Sequence, residues 1–267
     1  MQPASSTSGA AARTLFILPT YGAFSYARKA LLTFRQHCLG DCLIVDDASP
    51  KWEERWPIFY EAQPPRVYEH HFPLHGGLTR SWNFGLQFAK EHGYGYALCG
   101  NSDLLFTPGC LDPLRRLAES FQLIGPLTNC PGPAQYGQQQ VKRWLPDFKV
   151  SDDADYLADA AARLQQHFGG KWLEGVHLNG FCLFAKIATW WDGAFDSEHV
   201  FRPRNDLNSR GQRNPDPLNC LNEDELQGRW RAKNMRSVIA LDSLVFHYRA
   251  VSRGQQYARV EGAYRPS

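Results

Sequence analysis

The stretch Cys42–Pro50, CLIVDDASP, decides how this chain is read. Cys42 to Val45 is a short apolar run of the kind that forms a buried strand. Asp46 and Asp47 close it side by side, and Ala48-Ser49-Pro50 supplies turn chemistry. Open parallel α/β sheets bind ligands beyond the carboxyl ends of their strands. Two carboxylates at one strand end therefore raise the question of which ligand wants them. Working outward, Thr14–Pro19 (TLFILP) reads as another buried strand. Between the two runs, Ala27, Ala30, Leu31 and Phe34 recur at helical spacing over 25–37, with Gly40 as a stop. Arg66–Phe72 (RVYEHHF) reads as a third, more polar strand. Thr79–His92 reads as a helix with Leu78, Trp82, Leu86 and Ala89 near one face, and Tyr94–Asp103 (YGYALCGNSD) as a further strand. This alternation predicts an α/β fold with a mostly parallel central sheet flanked by helices.

The second half is less regular. SDDADYLADAAARLQQHFGG, 151–170, reads as a helix with acidic residues in its first turn and glycines at its end. Val176–Lys186 (VHLNGFCLFAK) reads as a strand. The segment 198–220 carries four arginines and three prolines without periodicity, the pattern of a functional or disordered loop.

Composition narrows the class. With 43% hydrophobic and 21% charged residues in 267, the chain is a folded protein rather than a disordered one. A net charge of +2 is too mild to argue for a nucleic-acid partner. Seven cysteines, at 38, 42, 99, 110, 130, 182 and 220, contain no CxxC pair, which argues against a disulfide scaffold or zinc site and for buried thiols in a reducing compartment. The first dozen residues lack the basic start and apolar core of a signal peptide. No segment approaches the roughly 18 apolar residues of a spanning helix. A cytoplasmic protein is expected, with any membrane contact peripheral to the inner face.

Polar chemistry gathers at the ends of apolar runs: PTYG (19–22), DDAS (46–49), GNSD (100–103) and LNEDE (221–225). In a parallel sheet the first three tips share one edge and can line one crevice. An isolated Asp at a strand end is usually a turn residue; three such tips suit a nucleotide-sugar. One carboxylate can accept from base or ribose, a second can hold a divalent cation against the diphosphate, and a third can take the proton of an attacking hydroxyl.

These residues resemble the GT-A-fold glycosyltransferases of family 2. LPTYG, LIVDDAS, GGLTRSWNFGL, CGNSDLLFTPG, WWDGAFDS, NEDELQGRW and VFHYRAVS follow that family's motif order from Leu18 to Ser252. The resemblance implies an inverting transferase that moves a sugar from a UDP- or dTDP-sugar to an acceptor hydroxyl, with Mg²⁺ or Mn²⁺. It implies Thr20 and Tyr21 beside the nucleobase and Asp46 or Asp47 on base or ribose. Arg80, Asn83, Asn101 and Ser102 join the donor site, with Asp103 and His247 on the metal. Asp224 matches the catalytic base, and Asn179, Trp191 and Glu223 fall on the acceptor side. Arg249 and Arg253 are candidate partners of the diphosphate from charge and sequence proximity. The implied layout is a tail over 1–13, a nucleotide-sugar half over 14–126, and an acceptor and base half over 127–267 of the same domain.

The chain departs from the family pattern at three positions. Asn101 stands where the metal motif has its first Asp, Trp82 where many relatives have Arg, and Gly22 where Asn is usual. Other readings remain open: a non-catalytic sugar- or nucleotide-binding protein on the same fold, or a sugar-nucleotidyltransferase, although LPTYGAF lacks the latter's Gly-rich basic loop. A Rossmann dehydrogenase is disfavoured because no GxGxxG follows a strand. His70, His71 and His75 lack metal-ligand spacing and are read as surface or crevice residues. Bland alternatives stand beside each site residue: turns for Asp46, Asp47 and Asp103, a helix first turn for Glu223-Asp224, and a core histidine for His247.

Overall fold

The computed structural model describes residues 13–55, 66–132, 134–203 and 222–249. β1 (Thr14–Thr20) and β2 (Asp41–Asp46) are buried almost throughout. Such continuous apolar strands suit a parallel sheet covered on both faces. β1 pairs in parallel with β2 and with β4 (Tyr96–Gly100), and β2 with β3 (Val67–His71). Alternate residues divide between two layers. Leu15, Ile17, Leu43 and Val45 pack with Trp82, Leu86 and Ala89 of α3 (Leu78–Glu91). Phe16, Leu18, Cys42 and Ile44 pack with Phe24, Ala27, Leu31 and Phe34 of α1 (Phe24–Cys38).

The strand order is β3-β2-β1-β4-β8-β6-β9-β5, with β7 (Trp172–Glu174) also on β9. After β4 the sheet becomes mixed. β8 (Cys182–Lys186) runs antiparallel to both β4 and β6 (Leu123–Leu127). β9 (Ser237–His247) is parallel to β6 but antiparallel to β5 (Leu104–Phe106). The parallel pattern expected from the first half therefore holds for β1–β4, and strands from beyond residue 127 extend the same sheet. Only the second part of 176–186 is strand; 177–181 leads into it as a loop.

Two local devices place the elements. Gly85 lets α3 lie close on β1, since a Cβ there would stand 2.3 Å from the Ile17 side chain. Asp153 caps α5 (Ala154–Phe168) by accepting the Tyr156 N–H at 2.8 Å, as the acidic start of that segment suggests. The remaining helices are α2 (Trp52–Arg55), α4 (Leu111–Leu117), α6 (Ile187–Asp192) and α7 (Asn222–Ala232). Among the described residues, no helix is long and apolar enough to cross a membrane.

Candidate functional site

Register builds the site at the β4 tip. β5 lies antiparallel to β9 with Leu104 opposite His247, which sets His247 beside Asp103. His247 Nε2 lies 3.3 Å from Asp103 Oδ1 and 3.4 Å from the Asn101 amide. Both the Asp103 and His247 side chains are over nine-tenths buried. Antiparallel pairing of β8 puts Cys182 opposite Gly100, and the Phe181 carbonyl accepts the Asn101 N–H at 2.9 Å. The Phe181 ring stacks on His247 with centroids 5.2 Å apart. Asn129 holds the His247 backbone from both sides, accepting its N–H at 2.8 Å and donating to its carbonyl at 3.0 Å. His247 Nδ1 faces the Cys130 carbonyl at 3.3 Å. That contact places a proton on Nδ1 and leaves Nε2 as the ring atom that faces Asp103 and Asn101.

A carboxylate, an imidazole nitrogen and an amide form a donor set suited to Mg²⁺ or Mn²⁺. Among the described residues, no group of three or more His, Cys, Asp and Glu is placed around one ion. The protein thus fits an ion whose remaining ligands come from substrate oxygen and water. Ser102 is partly exposed between Asn101 and Asp103. Arg249, in a left-handed backbone conformation with φ 62°, turns its guanidinium to Cys130 Sγ at 3.5 Å. It also covers Gly132, whose other near neighbour is the Asn179 amide.

The carboxylates of the β2 tip are used differently from the expectation. Asp46 is fully buried; it accepts the Ser49 N–H at 2.9 Å, the Ser49 hydroxyl, and His71 Nδ1 at 2.7 Å. Asp47 accepts the N–H groups of Gly76 at 3.0 Å and Gly77 at 2.6 Å and the Arg80 guanidinium; His75 Nδ1 hydrogen-bonds the Asp47 backbone carbonyl at 3.3 Å and lies 2.7 Å from its Oδ2. Both carboxylates are engaged within the protein, holding the loops that follow β2 and β3. Arg80 is committed to Asp47 and the Leu74 carbonyl, with its guanidinium 3.9 Å over Phe72, rather than to a diphosphate. Ser49 also accepts the Gly22 N–H at 2.8 Å, tying the β1 and β2 tips together. Beside them, Thr20 is buried with no hydrogen-bond partner for its Oγ1, and Tyr21 is 43% exposed over His75.

The third cluster stands on the first turn of α7. Asp224 Oδ1 accepts the Tyr136 hydroxyl at 2.9 Å and pairs with His177 Nε2. Arg231 reaches His177 Nδ1 at 3.2 Å, which makes that nitrogen the acceptor and puts the proton on Nε2, aimed at Asp224. Among the described residues Oδ2 of Asp224 takes no hydrogen bond. Burial and the two neighbouring carboxylates push the Tyr136 phenol well above its ordinary value. Burial, then the Asp224 charge, raises the Glu223 carboxyl. The Glu223 carboxyl packs on Gly180, next in sequence to the Phe181 that stacks on His247. The two clusters are therefore contiguous. Asn179 joins them, its side-chain Oδ1 accepting the Phe181 N–H at 3.0 Å.

No family model matches the sequence, and no curated protein matches it. The structure does match solved ones. Among 243 matching chains is the crystal structure of GalNAc-T7 with UDP, GalNAc and Mn²⁺. It aligns with a TM-score of 0.59 at 11% identity, over 88% of this chain and 44% of that one. The fold is GT-A. The likeness does not single out family 2, and this chain spans less than half of that protein's length.

Two expected site residues have structural partners. Asn83 is buried, donating to the Phe201 carbonyl and accepting the Phe201 N–H, both at 2.8 Å, so it clamps a loop. Trp191 lies on α6, which leaves β8 at the end of the sheet opposite the tips; Lys90, near the end of α3, sits 3.9 Å over its ring. Trp82, at the departure from Arg, is fully buried under the β4 tip, its indole N–H 3.4 Å from the Gly100 carbonyl. Arg253, and residues 204–220 of the arginine-rich segment, lie outside the described residues. Tyr136, His177 and Arg231 were not foreseen; His177 lies three residues before Gly180 in VHLNG, but nothing in that pattern distinguishes it from a strand histidine.

Proposed function

We propose that this chain transfers a sugar from a nucleoside-diphosphate sugar, UDP- or dTDP-linked, to an acceptor hydroxyl by a single inverting displacement. The observation that carries the reading is the contiguity of Asn101, Asp103 and His247 at the β4 tip with an Asp224 carboxylate that keeps one oxygen unbonded. Asp103 and His247 would hold the divalent cation, with Asn101 as a weaker neutral ligand. The cation supplies charge neutralisation for the departing nucleoside diphosphate. Arg249 lies on the same side of the crevice and adds positive charge there.

Asp224 Oδ2 accepts the acceptor's hydroxyl proton as that oxygen forms its bond to the anomeric carbon. The bond from that carbon to the diphosphate oxygen breaks, and the electron pair leaves with the nucleoside diphosphate. Tyr136 and His177 both donate to Oδ1. They fix the carboxylate's orientation and leave Oδ2 as the basic atom. Asn179 and Glu223 border the base on the acceptor side.

Thermal shift with UDP, dTDP, GDP and CDP, each with and without Mn²⁺, tests the donor site. A cation-dependent stabilisation of about 2.7 kcal/mol is expected at a hundredfold excess over Kd. Slow release of nucleoside diphosphate from the donor tests the chemistry. Asp224→Asn is expected to preserve binding and reduce turnover by about 10²–10⁴. No stabilisation by any of the four nucleotides refutes the reading. Binding without turnover, in water or with any acceptor, makes the chain a non-catalytic binder.

A further inference from the structure

The adjacent aspartates of the β2 tip repeat one device. The Asp46 carboxylate takes the Nδ1 of His71 at 2.7 Å, and the Nδ1 of His75 lies between the Asp47 carbonyl at 3.3 Å and the Asp47 carboxylate at 2.7 Å. Asp46 also accepts the backbone N–H of Ser49, and Asp47 those of Gly76 and Gly77, so each carboxyl serves as a hydrogen-bond acceptor. A carboxylate acceptor requires the proton of the neutral imidazole to sit on Nδ1, which leaves Nε2 with an available lone pair. The carboxylates are shielded, at 0% and 5% side-chain exposure, whereas both histidine side chains are 38% exposed. Among the described residues neither Nε2 has a hydrogen-bond partner.

Both rings are also held from behind. His71 stacks on Trp52 with centroids 5.0 Å apart and planes at 23°, and His75 lies against Tyr21 at 4.5 Å. Register fixes their place: His71 pairs with Asp46 and Asp46 with Thr20, so these residues stand at the tips of three neighbouring parallel strands. The buried and unpartnered Thr20 Oγ1 lies at the same edge. His70, by contrast, packs its ring 4.0 Å from Phe84 of α3 and takes no part.

We infer that His71 and His75, rather than the aspartates, read the nucleoside of the donor, and that they select a base carrying an imide N–H. This rests on the nucleotide-sugar reading of the crevice and deepens it to a substrate class. Two oriented lone pairs accept from N–H or O–H donors and reject lone pairs. Uracil and thymine present N3–H, and the ribose presents hydroxyls. Cytosine presents a lone pair at N3 and is disfavoured by the same geometry.

The test is calorimetric binding of UDP, CDP and N3-methyl-UDP in the presence of Mn²⁺. The wild-type chain is expected to bind UDP at least tenfold more tightly than either of the others, the equivalent of about one hydrogen bond. His71→Ala or His75→Ala is expected to weaken UDP about tenfold and to bring the ratio over CDP near unity. Equal wild-type affinity for UDP and N3-methyl-UDP overturns the inference without any variant, and so covers the case in which a variant fails to fold. A ratio that survives in both single variants overturns it as well. If none of the three nucleotides binds, the donor site itself is refuted, an outcome distinct from binding without discrimination.

Discussion

Replacing Asn83 separates a structural clamp from a ligand-binding residue. Its amide makes two 2.8 Å hydrogen bonds to the backbone of Phe201, which is fully buried. The surroundings are apolar, with Trp82 and Trp190 rings 5.1 and 5.7 Å from the Phe201 ring. Asn83→Ala leaves a buried N–H and a buried carbonyl without partners. At about 1–3 kcal/mol for each orphaned group, the loss is about 2–6 kcal/mol. For a domain of this size each kcal/mol lowers Tm by about 2–4 °C, so a fall of about 6–12 °C is expected for a central loss of about 3 kcal/mol. Urea unfolding should show a lower midpoint with an unchanged slope. Nucleotide affinity of the folded variant, measured at low temperature, should match wild type. Asn83→Asp should rescue little, since its carboxylate still accepts the Phe201 N–H but opposes the carbonyl. A Tm change below about 2 °C together with a tenfold loss of nucleotide affinity would refute the reasoning and return Asn83 to the donor site.

Glu223 makes a pH-dependent prediction. Its folded pKa is raised above the ordinary 4.5 by burial and by Asp224. The stability associated with its protonated form is complete below that ordinary value and is lost as pH rises through the folded one. Glu223→Gln should therefore match wild type in urea midpoint near pH 4 and exceed it at pH 8; equal or lower stability of the variant at pH 8 would show the charge to be fully compensated. Gly180→Ala places a Cβ 2.9 Å from the Glu223 carboxyl carbon. It should cost about 1–3 kcal/mol as overpacking and depress donor turnover, and unchanged stability and turnover would show that Glu223 can move aside freely.

The parallel half of the sheet was legible because β1 and β2 are buried on both faces and read as unbroken apolar runs. α3 and α5 were legible from their helical spacing, and α5 from its cap as well. β5 and β7 have three residues each, too short for any periodicity to register. β9 was visible only at its end, because Asp242 and Ser243 interrupt the run. Asp242 is buried nonetheless, accepting from Arg116 at 2.7 Å and the Gly170 N–H at 2.8 Å, partners that no local pattern announces. The reversal at β8 is likewise a matter of pairing rather than of composition.

At the site, the order of motifs brought Asp103 and His247 together on paper as the sheet does in space. The fate of Asp46 and Asp47 was hidden for the opposite reason. Their partners, Ser49, His71, His75, Gly76, Gly77 and Arg80, are supplied by register and loop geometry. Carboxylates at a strand end look the same in sequence whether they face a ligand or a neighbouring loop. The Asn83 clamp on Phe201 was hidden in the same way, since a buried amide that binds backbone and one that binds a nucleotide carry the same letter.

The pairing of β9 with β5 has a consequence for the order in which the molecule matures. Asn101 and His247 are 146 residues apart in sequence yet in contact. β1, β2 and β3 pair within their own stretch of chain, whereas β4 also needs β8 and α3 is clamped by Phe201. The imidazole arrives only when β9 threads between β6 and β5, a long-range closure of the kind that slows folding. A chain still emerging from the ribosome would hold the tips of β1–β3 without the histidine that the proposed cation site needs. Acquisition of cation-dependent nucleotide binding during refolding would then report closure of the sheet.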